Sequence, residues 1–174
     1  MGRHVLDGRG MTLAEVLIAV AIIGVGLVAL SSAIPLAAYG IQEGNQLSTA
    51  TFLANQRLEQ IRNTTWQAAR PAPAVPAVAA VDKLGVSASS TAAPVGDGGV
   101  ITFPDEVPLG APYAGYTRTV RITSCDAGLG CGGIVHAGLR QATVTVSYRP
   151  MTGIGVAPAA TTKSAVVTMY VTKR

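Results

Sequence analysis

The sequence predicts an α+β chain in which one long N-terminal helix packs on a three- to four-stranded antiparallel sheet. Three observations carry this expectation. Residues from Val16 to Gln42 contain no charged side chain. The segment after them keeps apolar residues at helical spacing, and the C-terminal part alternates apolar and polar residues with a period of two. A helix stripe and a half-apolar sheet face each need a cover, and packing one on the other satisfies both. The 174 residues suit one modest domain plus an anchor.

Composition narrows the function. The chain is 49% hydrophobic but only 5% aromatic, with a formal net charge of +4. Its basic residues, among them Arg57, Arg62, Arg70, Arg118, Arg121 and Arg140, are scattered, whereas nucleic-acid binding needs them clustered on one surface. No nucleic-acid partner is expected. Asp97, Asp105 and Glu106 lack the spacing of a calcium loop and read as groups of solvated loops. His4 and His136 are too few and too far apart for a metal cluster. No nucleophile, base or cofactor-binding set converges, so no enzyme and no cofactor is expected. The pattern points to assembly rather than chemistry.

At the N-terminus, Glu15 precedes an apolar run longer than the roughly 20 residues a membrane helix requires. Three readings compete. A cleaved export signal would have a shorter core and a clearer site than "LSSA". A plain anchor fits the length, with Glu15 at headgroup level. In the third reading Glu15 meets a partner from another subunit, since a carboxylate in apolar surroundings needs a counter-charge. Gly24, Gly26 and Pro35 interrupt the run. Each lowers intrinsic helix stability, by about 1 kcal/mol for Gly and about 3 for Pro. They read either as ordinary membrane-helix composition or as a segment able to stretch.

Beyond Tyr39, "IQEGNQLSTATFLANQRLEQIRNTTWQ" puts Leu47, Ala50, Ala54, Leu58 and Ile61 on one stripe, widened by Phe52 and Leu53. Gln46, Thr49, Gln56, Arg57, Glu59, Gln60 and Asn63 are assigned to the wetter side. A bend is expected near Pro35 or Gly40, and a weak Glu59–Arg62 pair on the surface. The prolines of "AARPAPAVPAVAAV" end the helix and predict an extended linker. In the poorly patterned stretch that follows, "GGVITF" reads as a short strand and "PDEVPLGAP" as turns.

Three clearer strands follow. "YTRTVRIT" turns Val120 and Ile122 to one face. "LRQATVTVSYRP" does the same for Ala142, Val144, Val146 and Tyr148. "TTKSAVVTMYVTKR" sets Ala165, Val167, Met169 and Val171 against Val166, Thr168 and Tyr170. The segment "MTGIGVAP" turns the chain between the last two, predicting an antiparallel pair. Cys125 and Cys131 enclose a glycine-rich loop. They read as a disulfide of an exported domain contributing about 2–3 kcal/mol, or as two reduced buried thiols.

The stretch "RGMTLAEVLIAVAIIG" resembles the type IV prepilin signature of pilins and of the pseudopilins of type II secretion. In that family a short polar leader ends in Gly, and the mature chain opens with Phe or Met, Thr, Leu, a variable residue and Glu. Gly10, Met11, Thr12, Leu13 and Glu15 hold those places, while Ala14 departs from the commoner Ile or Leu. The resemblance implies cleavage between Gly10 and Met11 by a prepilin peptidase that also N-methylates Met11. It implies that Glu15 pairs with the Met11 amine of a neighbouring subunit and so sets register. Family members commonly carry Gly near Gly24, but their Pro lies earlier than Pro35.

"FLANQRLEQIRN", "QATVTVSY" and "TMYVT" look like minor pilins of the PilV-like class and like the secretion I pseudopilins. The implied organisation is a leader at 1–10, a transmembrane and filament-core helix at 11–39 and its amphipathic half at 40–69. A Pro/Ala-rich variable region at 70–98 and a sheet-bearing head at 99–174 follow. The implied function is a minor, low-copy type IV pilus subunit, anchored once in the inner membrane with its head outside the cytoplasm. Its partners would be the peptidase/N-methyltransferase, major and other minor pilins or pseudopilins, and the inner-membrane assembly platform. A minor type II secretion pseudopilin is the alternative, and an uncleaved membrane-tethered binding or adhesion domain is the further one.

Overall fold

A computed structural model describes residues 11–69, 78–150 and 161–174. Residues 1–10, expected to be a leader, the proline-rich tract 70–77 and residues 151–160, where a turn is expected, fall outside them. The chain divides into two compact units, one ending at Gln42 and one comprising Glu43–Arg174.

Helix α1 runs over Leu13–Asn63 and contains Pro35. Helical assignment is unbroken at Gly24, Gly26, Pro35 and Gly40. Pro35 has no N–H for the Ser31 carbonyl four residues earlier. Nearby hydroxyls are satisfied within the helix: Ser31 Oγ donates to the Leu27 carbonyl at 2.8 Å and Ser32 Oγ to the Ala29 carbonyl at 2.7 Å. These two hydroxyls therefore need no partner outside the helix, as an apolar solvent that offers no hydrogen bonds would require. At its C-terminus Thr64 Oγ1 donates to the Gln60 carbonyl at 2.8 Å, satisfying one of the orphan acceptors there.

In the unit that begins at Glu43, short strands β1 (Trp66–Gln67) and β2 (Val81–Asp82) pair, as do β3 (Val86–Ser87) and β4 (Pro94–Val95). Long strands β5 (Tyr116–Ser124), β6 (Leu139–Tyr148) and β7 (Lys163–Thr172) form one antiparallel sheet in that order. Val120, Val144 and Val167 lie in register across it. The inward residues are the alternating ones: Val120 and Ile122, then Ala142, Val144, Val146 and Tyr148, then Ala165. They join Ala50, Leu53, Ala54, Leu58 and Ile61 of α1 in one core, with Val167, Met169 and Val171 packed on it.

Three expectations need correction. Leu47 and Phe52 are exposed, not part of the stripe. Phe52 lies nearly opposite Ala50 at 100° per residue, and Leu47 precedes the first buried turn. Arg57, assigned to the wet side, is mostly buried. It sits four residues from both Leu53 and Ile61, which places it at the centre of the core face. Residues "GGVITF" form no strand: Ile101 makes one isolated bridge to Val95.

Candidate functional site

The N-terminal segment is a capped helix start. Thr12 Oγ1 accepts a hydrogen bond from the Glu15 N–H at 3.3 Å, and the Thr12 carbonyl accepts from Glu15 and Val16 at 3.1 and 3.2 Å. Thr12 is thus the N-cap and Glu15 the third helical residue, the spacing of a capping box. A carboxylate there also complements the positive end of the helix. The Thr-x-x-Glu pattern was present in the sequence as a physical signal and went unread behind the resemblance.

From Met11 to Ile41 no side chain is buried. Leu13 is 81% exposed and Val25 73%, although the segment is apolar and long enough to cross a membrane. Among the described residues Glu15 has no ion-pair partner. A Cβ added at Gly24 or Gly26 would meet nothing within 4 Å in this chain. Ala21, Gly24, Val28 and Ser32 line an open groove along the helix. The expected site residues Met11, Thr12, Leu13 and Glu15 fall together at the helix start. Gly24, Gly26 and Pro35 lie further along the same exposed element, and Gly10 lies outside the described residues.

The second unit is held by arginines that sequence reading dismissed as scattered. Arg118, on the inward face of β5 with Val120 and Ile122, is buried. Its Nε donates to Glu106 at 2.5 Å and its Nη1 to the Leu53 carbonyl at 3.1 Å. Arg57 reaches the same carboxylate at 2.9 Å and lies over the Phe103 ring. Helix, sheet and loop thus meet on Glu106. Arg121 grips Asp105 with two bonds of 2.6 and 2.8 Å and also donates to the Ser90 and Thr91 carbonyls. Arg140 grips Asp82 with two bonds of 2.7 Å and stacks 4.1 Å above Trp66. Forked arginine–carboxylate pairs of this kind fix orientation as well as charge.

These contacts hold the Asp82, Asp105 and Glu106 carboxyls below the usual range, in each case chiefly through the arginine hydrogen bond. Burial lowers the Arg57 pKa, and the neighbouring Arg118 charge adds to that. Asp97 accepts from the Asp82 N–H at 2.5 Å. The acidic residues read as solvated loop groups are therefore structural anchors. Parity could have revealed Arg118, two residues from Val120 and four from Ile122.

Cys125 and Cys131 form a disulfide with Cα atoms 5.0 Å apart. The loop returns through hydrogen bonds from Cys131 to Ile134 and from His136 to Cys125. Gly130 adopts a φ of +62°, and a Cβ there would collide with the Ile134 backbone, so glycine is required. Leu129 is 89% exposed at the loop tip. No cluster of three or more metal-ligating side chains occurs among the described residues.

A family model described as the prokaryotic N-terminal methylation motif matches residues 8–31. The match takes in Gly10, Met11, Thr12, Leu13, Glu15, Gly24 and Gly26, the capped helix start and the exposed apolar run. It supports the type IV prepilin-like reading of the N-terminal segment. Over that segment the chain is similar to proteins carrying this methylation motif, and the apolar helix that follows is long enough to cross a membrane. The motif's family is structural, not enzymatic. No curated protein and no solved structure matches the chain.

Proposed function

We propose that this protein is a minor, low-copy structural subunit of a type IV pilus, anchored once in the inner membrane with its head outside the cytoplasm. Prepilin peptidase removes residues 1–10, methylates Met11, and the mature subunit acts in filament priming or tip assembly on the inner-membrane platform. The observation that carries this reading is the methylation motif on a helix half with no burial of its own. Such a helix needs lipid first and other helices later. On this reading Glu15 pairs with the Met11 amine of a neighbour, because in a low-dielectric core the pair is favoured over either lone charge.

A minor pseudopilin of a type II secretion system shares every step up to the choice of filament. The unit from Glu43 to Arg174 is long for the compact secretion I subunit, which favours the pilus. An uncleaved membrane-tethered binding domain is the reading that processing would exclude.

The test is the intact mass of the protein purified from cells that carry its own prepilin peptidase. Loss of residues 1–10 and gain of one methyl group on Met11 is the expected result. A chain still beginning at Met1, or cut beyond Ala33, overturns the proposal. Deleting the subunit should then reduce surface pili while leaving secreted proteins unchanged, and the reverse outcome selects the secretion system.

A further inference from the structure

The two edges of the main sheet are finished differently. At β5 the backbone groups that point away from β6 have partners. Arg118 and Glu106 exchange N–H and carbonyl bonds at 2.9 Å, and the Tyr116 carbonyl accepts from the Leu109 N–H at 2.8 Å. The Ile122 N–H reaches Ser87 Oγ at 3.0 Å. At the opposite edge, β7 has β6 as its one strand partner among the described residues.

Parity tells which groups of β7 are left over. The Lys173 N–H donates to the carbonyl of Gly138, the residue that continues the β6 register, at 2.8 Å. Residues bonded to the neighbour alternate along an antiparallel strand, so Val167, Met169 and Val171 bond β6. Val166, Thr168, Tyr170 and Thr172 turn their N–H and carbonyl groups the other way. Arg174, of the same parity, bonds Trp66 and Ala68 on that side. Among the described residues nothing takes the outward groups of the other four.

An open edge is normally blunted by Lys, Pro, a bulge or shortness. This one is not. Ser164 to Thr172 carries no charge and no Pro, and its pairing with β6 runs unbroken. Val166 is 59% exposed and Tyr170 47%. Charge gathers at one end. An open groove of about 160 Å³ is lined by Arg62 from the end of α1 and by Met169, Tyr170, Val171, Thr172 and Arg174. Among the described residues Arg62 meets one carboxylate, Glu59 at 3.7 Å, and Lys173 and Arg174 meet none.

These features define the occupant. A row of unpaired backbone groups calls for an extended chain, and three cations at its end call for a carboxylate on that chain. A second copy fits badly. Antiparallel pairing of two whole β7 strands sets Lys163 opposite Lys173, and parallel pairing sets Lys173 beside Lys173.

We propose that the β7 edge accepts an extended acidic segment of another protein as a further strand of the sheet. Its backbone takes the outward groups of Val166, Thr168, Tyr170 and Thr172. Its alternate side chains lie beside Val166 and Tyr170, and a carboxylate at its end reaches Arg62, Lys173 or Arg174. The surface lies wholly within the unit Glu43–Arg174 and does not depend on the pilus reading.

The probe is the end-blocked peptide Glu-Val-Thr-Val-Thr-Val-Glu, added to the full chain in detergent while amide exchange is followed by NMR. Acids at both ends serve either strand direction. At about ten times its Kd the peptide should slow exchange of the Val166, Thr168, Tyr170 and Thr172 amides about tenfold. The Val167, Met169 and Val171 amides, already bonded to β6, should not change. The same peptide with Lys in place of Glu should give no protection. Thr168→Pro removes an outward N–H that β6 does not use and should abolish the effect with circular dichroism unchanged. Arg62→Gln, an exposed substitution, should weaken binding about two- to fivefold and carries the test if the proline variant fails to fold. No slowing at about 1 mM peptide, or equal slowing by the Glu and Lys peptides, overturns the proposal. So does slow exchange of the four amides without peptide. If that protection grows with protein concentration, a second copy covers the edge; if it does not, the chain covers the edge itself.

Discussion

One helix serves two regions in opposite ways. Up to Ile41 no side chain of α1 is buried. In its later part Ala50, Leu53, Ala54, Leu58 and Ile61 are almost completely enclosed. The first region is apolar throughout and satisfies only its own backbone. The second is amphipathic and finds its cover within the chain. Apolar content alone therefore says little about where a helix ends up; the presence of polar residues at regular intervals decides whether it can close a core by itself. The first region leaves its apolar surface uncovered, and the second buries its own against the sheet.

The contrast breaks most sharply with one substitution made twice. Leu53→Ala should destabilise the head by about 3 kcal/mol or more, since it opens a cavity in an enclosed site. Leu27→Ala, in the region without tertiary contacts, should move the same transition by less than about 0.5 kcal/mol. Urea midpoints of the detergent-solubilised protein, followed by circular dichroism, measure both. Equal shifts would mean that the apolar half supports the head.

A smaller effect should follow from opening the 125–131 loop. Replacing Cys125 and Cys131 with Ser should lower stability by about 2 kcal/mol, because the closed loop is short. Reduction of the unaltered chain should give the same shift, and no further loss should appear when the variant is treated with reductant. Flotation with vesicles should be untouched, since the apolar run of α1 lies outside this loop.

The smallest single effects concern the carboxylates. Asp82, Asp105 and Glu106 have depressed pKa values in the folded head. Their contribution is therefore complete above the ordinary carboxylate range near pH 4 and is lost as pH falls through their lowered values. Each arginine pair is partly exposed and should contribute about 1 kcal/mol after solvent screening. Stability should be flat from about pH 5 to 7 and fall below about pH 4. Asp105→Asn should make that fall shallower; an unchanged acid slope would show that the Arg121 pair contributes nothing.

The regular elements were legible because they rest on period. The three long strands alternate without interruption, and the burial of Val120, Val144 and Ala165 follows from parity. The helix start was legible from the order of Gly10, Met11, Thr12 and Glu15. What escaped was polar. Arg57 and Arg118 occupy core-facing positions, but a charge at such a position reads as an exception until its partner is known. Glu106 is distant from both in sequence, and only the fold brings the three together. The stretch 78–113 escaped for a related reason. Its strands are two residues long and too short to show a period, and its loops are fixed by Arg121 and Arg140 from another part of the chain.

Trp66 gives the molecule a reporter of its own. It is the single tryptophan of the sequence, is 4% exposed, and has the Arg140 guanidinium stacked on its face. Its carbonyl accepts from the Arg174 N–H at 3.0 Å, so β6 meets its ring and Arg174 holds its backbone. Its fluorescence therefore reads head closure with no label attached. The same signal can be recorded in detergent, in vesicles and in an assembled fibre, separating a subunit that has changed neighbours from one that has come undone.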